Sequence, residues 1–210
     1  MSTPKLILAS ASERRRVLLA RLGIPFDIVP ADVDEQAVID RAAGEADAAN
    51  DAHFIPRALA LAKARVVADA RPHCAVMGAD TVVWLNGRII GKPRDRQDAR
   101  EILRALSRNA HLVITGLALI YRNSGLELAG SAETRIWMRP MSEAEISTYV
   151  ESGEADGKAG AYAIQETADR FVARIEGSFS NVVGLPLGLA AEFLLKAGFA
   201  PARIAENGIA

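Results

Sequence analysis

The chain has 210 residues, half of them apolar and 24% charged, with 25 Lys+Arg against 26 Asp+Glu for a net charge of −1. That is enough apolar material for a sizeable core, and it excludes the disordered, collagen-like and coiled-coil classes. The balanced charge supplies no global field toward nucleic acid or an anionic membrane, and no run approaches the roughly 18 apolar residues of a membrane span. One cysteine, Cys74, and three scattered histidines give neither an internal disulfide nor a zinc site, which suits a reducing compartment. The apolar run after Lys5 is too short for the core of a signal peptide. A soluble, cytoplasmic protein is expected.

In chain order, residues 6–9, Leu-Ile-Leu-Ala, read as a buried strand. Ser12 caps a helix with Glu13 in its first turn, Val17, Leu18 and Leu22 on its apolar face, and Gly23 at its end. Residues 26–30 form a second strand that ends in Asp32-Val33-Asp34-Glu35. Residues 36–50, Ala-rich with weak periodicity, read as a soft helix or a mobile excursion. Pro56 suits the first position of a helix whose residues 57–70 carry helical spacing at Leu59, Ala62 and Val66.

Residues 74–77 are strand, followed by Gly78-Ala79-Asp80-Thr81. Residues 82–85 and 88–90 flank Asn86-Gly87, a pair that tolerates positive φ at both positions of a two-residue hairpin turn. Asp95 caps a helix to about residue 106, and residues 112–121 and 126–139 are strands around Asn123-Ser124-Gly125. Ser142-Glu143-Ala144-Glu145 is a capping box that starts a helix to about residue 150. A glycine-rich loop over 153–160 and a final helix over 187–197, stopped by Gly198, complete the pattern. Strands and helices alternate with hairpins among them, so the expected class is α/β with a mixed sheet. The length is compatible with two lobes flanking a cleft, and residues 1–210 read as one domain.

Four segments carry chemistry. In Ser10-Ala11-Ser12-Glu13-Arg14-Arg15-Arg16 a strand hands over to a helix, whose free N–H groups and partial positive charge favour phosphate. Hydroxyls from Ser10 and Ser12 and the fork of Arg14 would complete a polyphosphate cradle, with Arg15 and Arg16 the more solvent-facing. An ordinary capped helix is the competing reading. Asp34-Glu35 lies just past a strand end, where one or two carboxylates suffice for a hard divalent cation that keeps several waters; a solvated acidic turn would look the same. Asp80 sits between two apolar runs, where a carboxylate either caps a turn or has a metal or lysine partner and can deprotonate water.

The fourth signal is the lysine inventory. Five lysines stand against twenty arginines, and three of them, Lys63, Lys92 and Lys158, fall at punctuated positions. A compact ammonium serves one phosphate oxygen as a point charge, although surface decoration remains the alternative for each. Gly87-Arg88-Ile89-Ile90-Gly91-Lys92-Pro93 is not a phosphate-binding Walker loop: it is one residue short between the glycines, and Pro93 stands where a hydroxyl would meet Mg²⁺. His53, His73 and His111 have no ligand spacing and read as structural or surface residues.

Together the segments resemble the Maf family. The match runs through Leu8-Ala9-Ser10-Ala11-Ser12-x-Arg14-Arg15, Asp34-Glu35, Gly78-Ala79-Asp80-Thr81-Val82-Val83, Gly91-Lys92-Pro93 and Thr115-Gly116. It continues through Lys158-Ala159-Gly160-Ala161-Tyr162-x-Ile164-Gln165 and the block from Gly177 to Leu187, so it covers roughly residues 5–198. The resemblance implies an elongated mixed sheet flanked by helices, with two lobes around a substrate cleft, and a homodimer. It implies a nucleoside triphosphate pyrophosphatase that cleaves between the α and β phosphates with Mg²⁺ or Mn²⁺, and that has neither a nucleic-acid nor a membrane partner. Asp80 is then the proton acceptor for the attacking water. Ser10, Arg14, Lys63 and Lys92 bind substrate, Glu35 and Asp80 hold the metal, and Glu13, Thr81 and Gln165 set the base preference.

Thr81 after Asp80, together with Gln165, resembles the branch acting on dTTP and UTP. An amide offers a donor and an acceptor to the imide edge of uracil or thymine, where a carboxylate would favour guanine. Glu13 replaces the family's usual proline and Glu166 its usual glycine, and both add negative charge near the expected site. The alternatives are a pyrophosphatase for 7-methyl-GTP or another purine or modified nucleotide, and a non-catalytic nucleotide binder regulating septum formation. A role in nucleotide-pool cleansing, with a link to division arrest, follows from the resemblance alone.

Overall fold

The computed structural model describes residues 4–43, 51–165 and 167–202. The chain falls into two compact units: residues 1–80, 115–132 and 184–210 form the first, and residues 81–114 and 133–183 the second. Among the described residues, seven strands form one mixed sheet flanked by helices.

In the first unit, β1 (Lys5–Leu8) leads into α1 (Glu13–Ala20), which is followed by β2 (Phe26–Ile28). Ser12 caps α1 as the sequence predicts, its side chain accepting from the Arg15 N–H. The buried face of α1 carries Leu18 and Leu19, with Leu22 just beyond, and Val17 is exposed instead. The second strand stops two residues short of the expected boundary. α2 (Glu35–Ala43) then begins, capped by Asp34, whose carboxylate accepts from the Ala37 N–H at 3.0 Å. The remainder of the 36–50 segment lies outside the described residues.

α3 (Phe54–Ala70) starts two residues earlier than expected, so Pro56 is its third residue. One buried face is Ala60, Ala64, Val67 and Ala68, while Val66 faces solvent. That face packs with Ile7, Ala9, Val76, Ala118 and Ile120 into one core cluster. On the other side of α3, Ile55 and Leu59 bury against Ala42 of α2.

β3 (Cys74–Leu85) is a single twelve-residue strand. The sequence reading ended this strand at residue 77 and left a turn-capping role open for Asp80; the structure continues the strand through it. β1 pairs in parallel with both β2 and β3. β4 (Arg88–Ile90) returns along β3 through the Asn86-Gly87 turn, Leu85 opposite Arg88, with φ of +50° and +80° at the two turn residues. α4 (Arg96–Leu106), capped by Asp95, β5 (Ala110–Tyr121) and β6 (Leu126–Met138) follow close to the expected bounds.

α5 (Glu143–Glu151) begins in the Ser142/Glu145 capping box, both hydrogen bonds of which are present. β7 (Val172–Glu176), antiparallel to β6, and α6 (Phe179–Val183) are elements the sequence reading missed. α7 (Leu187–Lys196) closes the set, with Gly198 at φ +85°. The strand order is β2-β1-β3-β5-β6-β7, with β4 attached to β3. Among the described residues, no helix is long and apolar enough to cross a membrane.

Candidate active site

Two glycines decide where α3 lies. A Cβ on Gly78 would stand 2.4 Å from the Ala60 carbonyl oxygen, and one on Gly116 would stand 2.1 Å from that of Pro56. Only residues without side chains let the helix backbone come this close to β3 and β5. Strand side chains alternate faces, so Asp80, two residues after Gly78, points to the same side. Lys63, one residue before Ala64 on the packed helix, meets it there.

The Lys63 ammonium donates to Asp80 Oδ1 at 2.6 Å and lies 2.6 Å from Glu35 Oε1. The Lys63 and Asp80 side chains are each 12% exposed, whereas Glu35 is 45% exposed. A buried carboxylate is tolerated here because it is paired and hydrogen-bonded. Glu35 reaches the ammonium from the first residue of α2, while Asp34 caps that helix. Of the two acidic neighbours, one serves structure and the other the cluster.

The β1–α1 corner supplies the second part of the first unit's site. Ser10 is buried, and its Oγ accepts from the Ser12 N–H at 3.2 Å and from Arg15 Nη1 at 3.3 Å. Arg15 Nε donates to the Gly184 carbonyl at 2.9 Å. Burial pushes the Arg15 guanidinium below its ordinary range, and the charges of Asp80 and Glu35 pull it back up; an arginine stays protonated throughout. The structure therefore reverses the expectation for this pair: Arg15 turns inward, while Arg14 is exposed. Glu13 is also exposed, and its carboxylate is held below the usual range by the side-chain hydrogen bond from Arg16. The negative charge it adds is paired.

In the second unit, Thr81 is half-buried on β3, Lys92 is exposed in the loop after β4, and Gln165 is exposed in a turn. Lys158 donates to the Glu154 carbonyl at 2.7 Å. Glu166 lies outside the described residues. The Gly160 N–H donates to the Gly91 carbonyl at 3.0 Å, which ties the glycine-rich loop to the residue before Lys92. The histidines have structural partners: His53 Nδ1 meets Ser131 Oγ at 2.9 Å, His73 Nδ1 meets Asn123 at 2.7 Å, and His111 is buried. A pocket of about 350 Å³ lies in the first unit around Phe54, Ala58 and Leu61, and none of the candidate residues lines it.

Glu35 and Asp80 converge on one cationic nitrogen, so the donor set is two carboxylates. Oxygen donors of this kind fit a hard divalent cation that takes its remaining ligands from water and phosphate. Among the described residues, no group of three or more His, Cys, Asp or Glu could hold a metal without such help.

The chain matches the family model described as "Maf-like protein" over residues 5–197. It is 46% identical over 199 residues to a dTTP/UTP pyrophosphatase of Anaeromyxobacter dehalogenans (strain 2CP-C), covering 93% of this chain and 95% of that one. A dTTP/UTP pyrophosphatase of Symbiobacterium thermophilum is 43% identical over 195 residues, with 93% and 95% covered. One of Myxococcus xanthus is 47% identical over 193 residues, with 92% of each chain covered. With its strand-to-helix serine corner, its lysine-bridged carboxylates and a family match over nearly its whole length, the chain belongs to the Maf family.

Proposed function

We propose that this protein is a nucleoside triphosphate pyrophosphatase that hydrolyses dTTP and UTP to the monophosphate and pyrophosphate, and so cleanses the nucleotide pool. The observation that carries the reading is the Lys63 ammonium set between Asp80 and Glu35 at 2.6 Å from each. The ammonium engages Oδ1 of the Asp80 carboxylate, and the second oxygen is the one we assign to the attacking water. The names of the relatives support the substrate.

Asp80 takes the proton of the attacking water, and Lys63 holds that carboxylate in place. When bound, Mg²⁺ or Mn²⁺ on Glu35 and Asp80 supplies Lewis-acid polarisation of the phosphate. Ser10 and the α1 N-terminus donate to phosphate oxygens, and the exposed Arg14 adds a fork. Lys92 adds a point charge toward the leaving pyrophosphate. Thr81 and Gln165 select the base, the Gln165 amide matching the imide edge of a pyrimidine.

The test is product identification across dTTP, UTP, CTP, GTP, ATP and 7-methyl-GTP with Mg²⁺ or Mn²⁺, with Asp80→Asn as control. Monophosphate and pyrophosphate from dTTP and UTP, lost in the variant, are expected. Turnover confined to a purine would discard the role of Gln165, and stoichiometric binding without pyrophosphate release would discard catalysis.

A further inference from the structure

The second unit contains a buried histidine that the proposed reaction does not use. His111 on β5 is 2% exposed, and its Nε2 is hydrogen-bonded to the Tyr162 hydroxyl at 2.8 Å. The two rings meet edge to face at 5.6 Å. Its other nitrogen, Nδ1, has no hydrogen-bond partner among the described residues. Leaving a polar atom unpaired inside a protein is costly, so the histidine is poorly explained as filler: a leucine or phenylalanine would occupy the space without that cost. What the imidazole supplies and an apolar side chain cannot is the bond to Tyr162.

Tyr162 lies three residues before Gln165, in a segment pinned at several points. The Gly160 N–H is held by the Gly91 carbonyl, and the Ala163 N–H donates to the Tyr149 hydroxyl at 3.2 Å. Further on, Thr167 donates through its N–H and hydroxyl to the Glu154 carboxylate at 2.8–3.0 Å. Gly160 and Ala161 both adopt positive φ, +73° and +57°, and for Ala161 that is a strained conformation which its surroundings must hold. Gln165 itself is exposed between these anchors.

We propose that His111 is a positioning residue for base selection: its Nε2 hydrogen bond to Tyr162 fixes residues 160–165 and thereby the place of the Gln165 amide. The inference rests on the reading that Gln165 faces the base. It makes an asymmetric demand on replacements, since only Nε2 is engaged. A glutamine at 111 carries its amide near the position of Nε2, and an asparagine carries it near Nδ1, so glutamine preserves the bond and asparagine does not.

The experiment compares His111→Gln, His111→Asn and Tyr162→Phe with wild type by steady-state kinetics on dTTP and UTP and by amide hydrogen exchange. His111→Gln is expected within about 2-fold of wild type. The other two are expected to raise KM about 10-fold with kcat changed less than about 3-fold, and to speed exchange at Gly160, Ala161 and Ala163. Wild-type KM and exchange in His111→Asn and Tyr162→Phe would overturn the inference. So would equal impairment of His111→Gln and His111→Asn with kcat and KM moving together, the mark of a purely structural residue. If wild type cleaves neither nucleotide, the functional reading fails by itself. Exchange then decides the positioning alone, unchanged rates in all three variants overturning it.

Discussion

Lys63 and Asp80 lie seventeen positions apart in sequence and 2.6 Å apart in space, joined because Ala60 and Ala64 of α3 rest on Gly78, two residues before the aspartate. The pair is both the chemical centre of the first unit and a product of its packing. Replacing Asp80 by asparagine leaves Lys63 its Glu35 partner. Turnover is expected to fall by about 10³ with Tm within a few degrees of wild type. Lys63→Met removes the ammonium that Asp80 and Glu35 share, and a loss of about 3 kcal/mol is expected by urea unfolding. Equal stability of the two variants would contradict this account.

Arginines 14 and 15 separate by readout. Arg15 ties Ser10 to the Gly184 carbonyl, so Arg15→Met is expected to cost about 2 kcal/mol of stability. Arg14 is exposed, and Arg14→Met is expected to raise KM for the triphosphate while leaving Tm nearly unchanged. Calorimetry and initial-rate kinetics on the two variants check the split.

Gly116→Ala places a methyl group 2.1 Å from the Pro56 carbonyl oxygen, and one end of the contact is helix backbone that cannot rotate aside. A loss of about 3 kcal/mol is expected. Gly91, where a Cβ would meet nothing within 4 Å, is the control, and Gly91→Ala is expected to leave the denaturant midpoint unchanged.

Burial holds the His111 imidazole down at about 4, against its ordinary 6.5. Below pH 6.5 the unfolded chain takes up a proton there that the native protein refuses until about pH 4. Stability from this group is therefore full above pH 6.5 and falls as pH drops toward 4, by a total on the order of 3 kcal/mol. Unfolding curves for wild type and His111→Gln between pH 7 and pH 4 test it: the variant is expected to lose this part of the slope. Parallel pH profiles would show that the imidazole does not stay neutral.

The residues of the cluster were legible because their types are costly to place elsewhere. A carboxylate between apolar runs needs a partner, and a chain with twenty arginines keeps lysine for particular tasks. Local signals also held: Ser12, Asp95 and the Ser142/Glu145 box cap the helices they were expected to cap. What the sequence obscured was set by packing between distant segments. The strand was expected to end before Gly78, yet it runs on through that glycine, where α3 lies against it. Arg15 and Arg14 are indistinguishable by periodicity until the Gly184 carbonyl, 169 positions away from Arg15, draws one of them inward. β7 escaped notice because it pairs with β6 while four of its five residues stay exposed, so it carries little apolar signature.

The division of the chain bears on how the protein is made. The second unit ends at Val183, whereas the first is assembled from residues on both sides of it. Its β1–α1 corner is fastened by the Gly184 carbonyl, and the Leu22 carbonyl accepts from the Ala202 N–H at 2.9 Å. During synthesis, the serine corner therefore waits for partners that leave the ribosome only after the whole of the second unit. The bonds that fasten the segment translated first can form only once nearly the whole chain has been made.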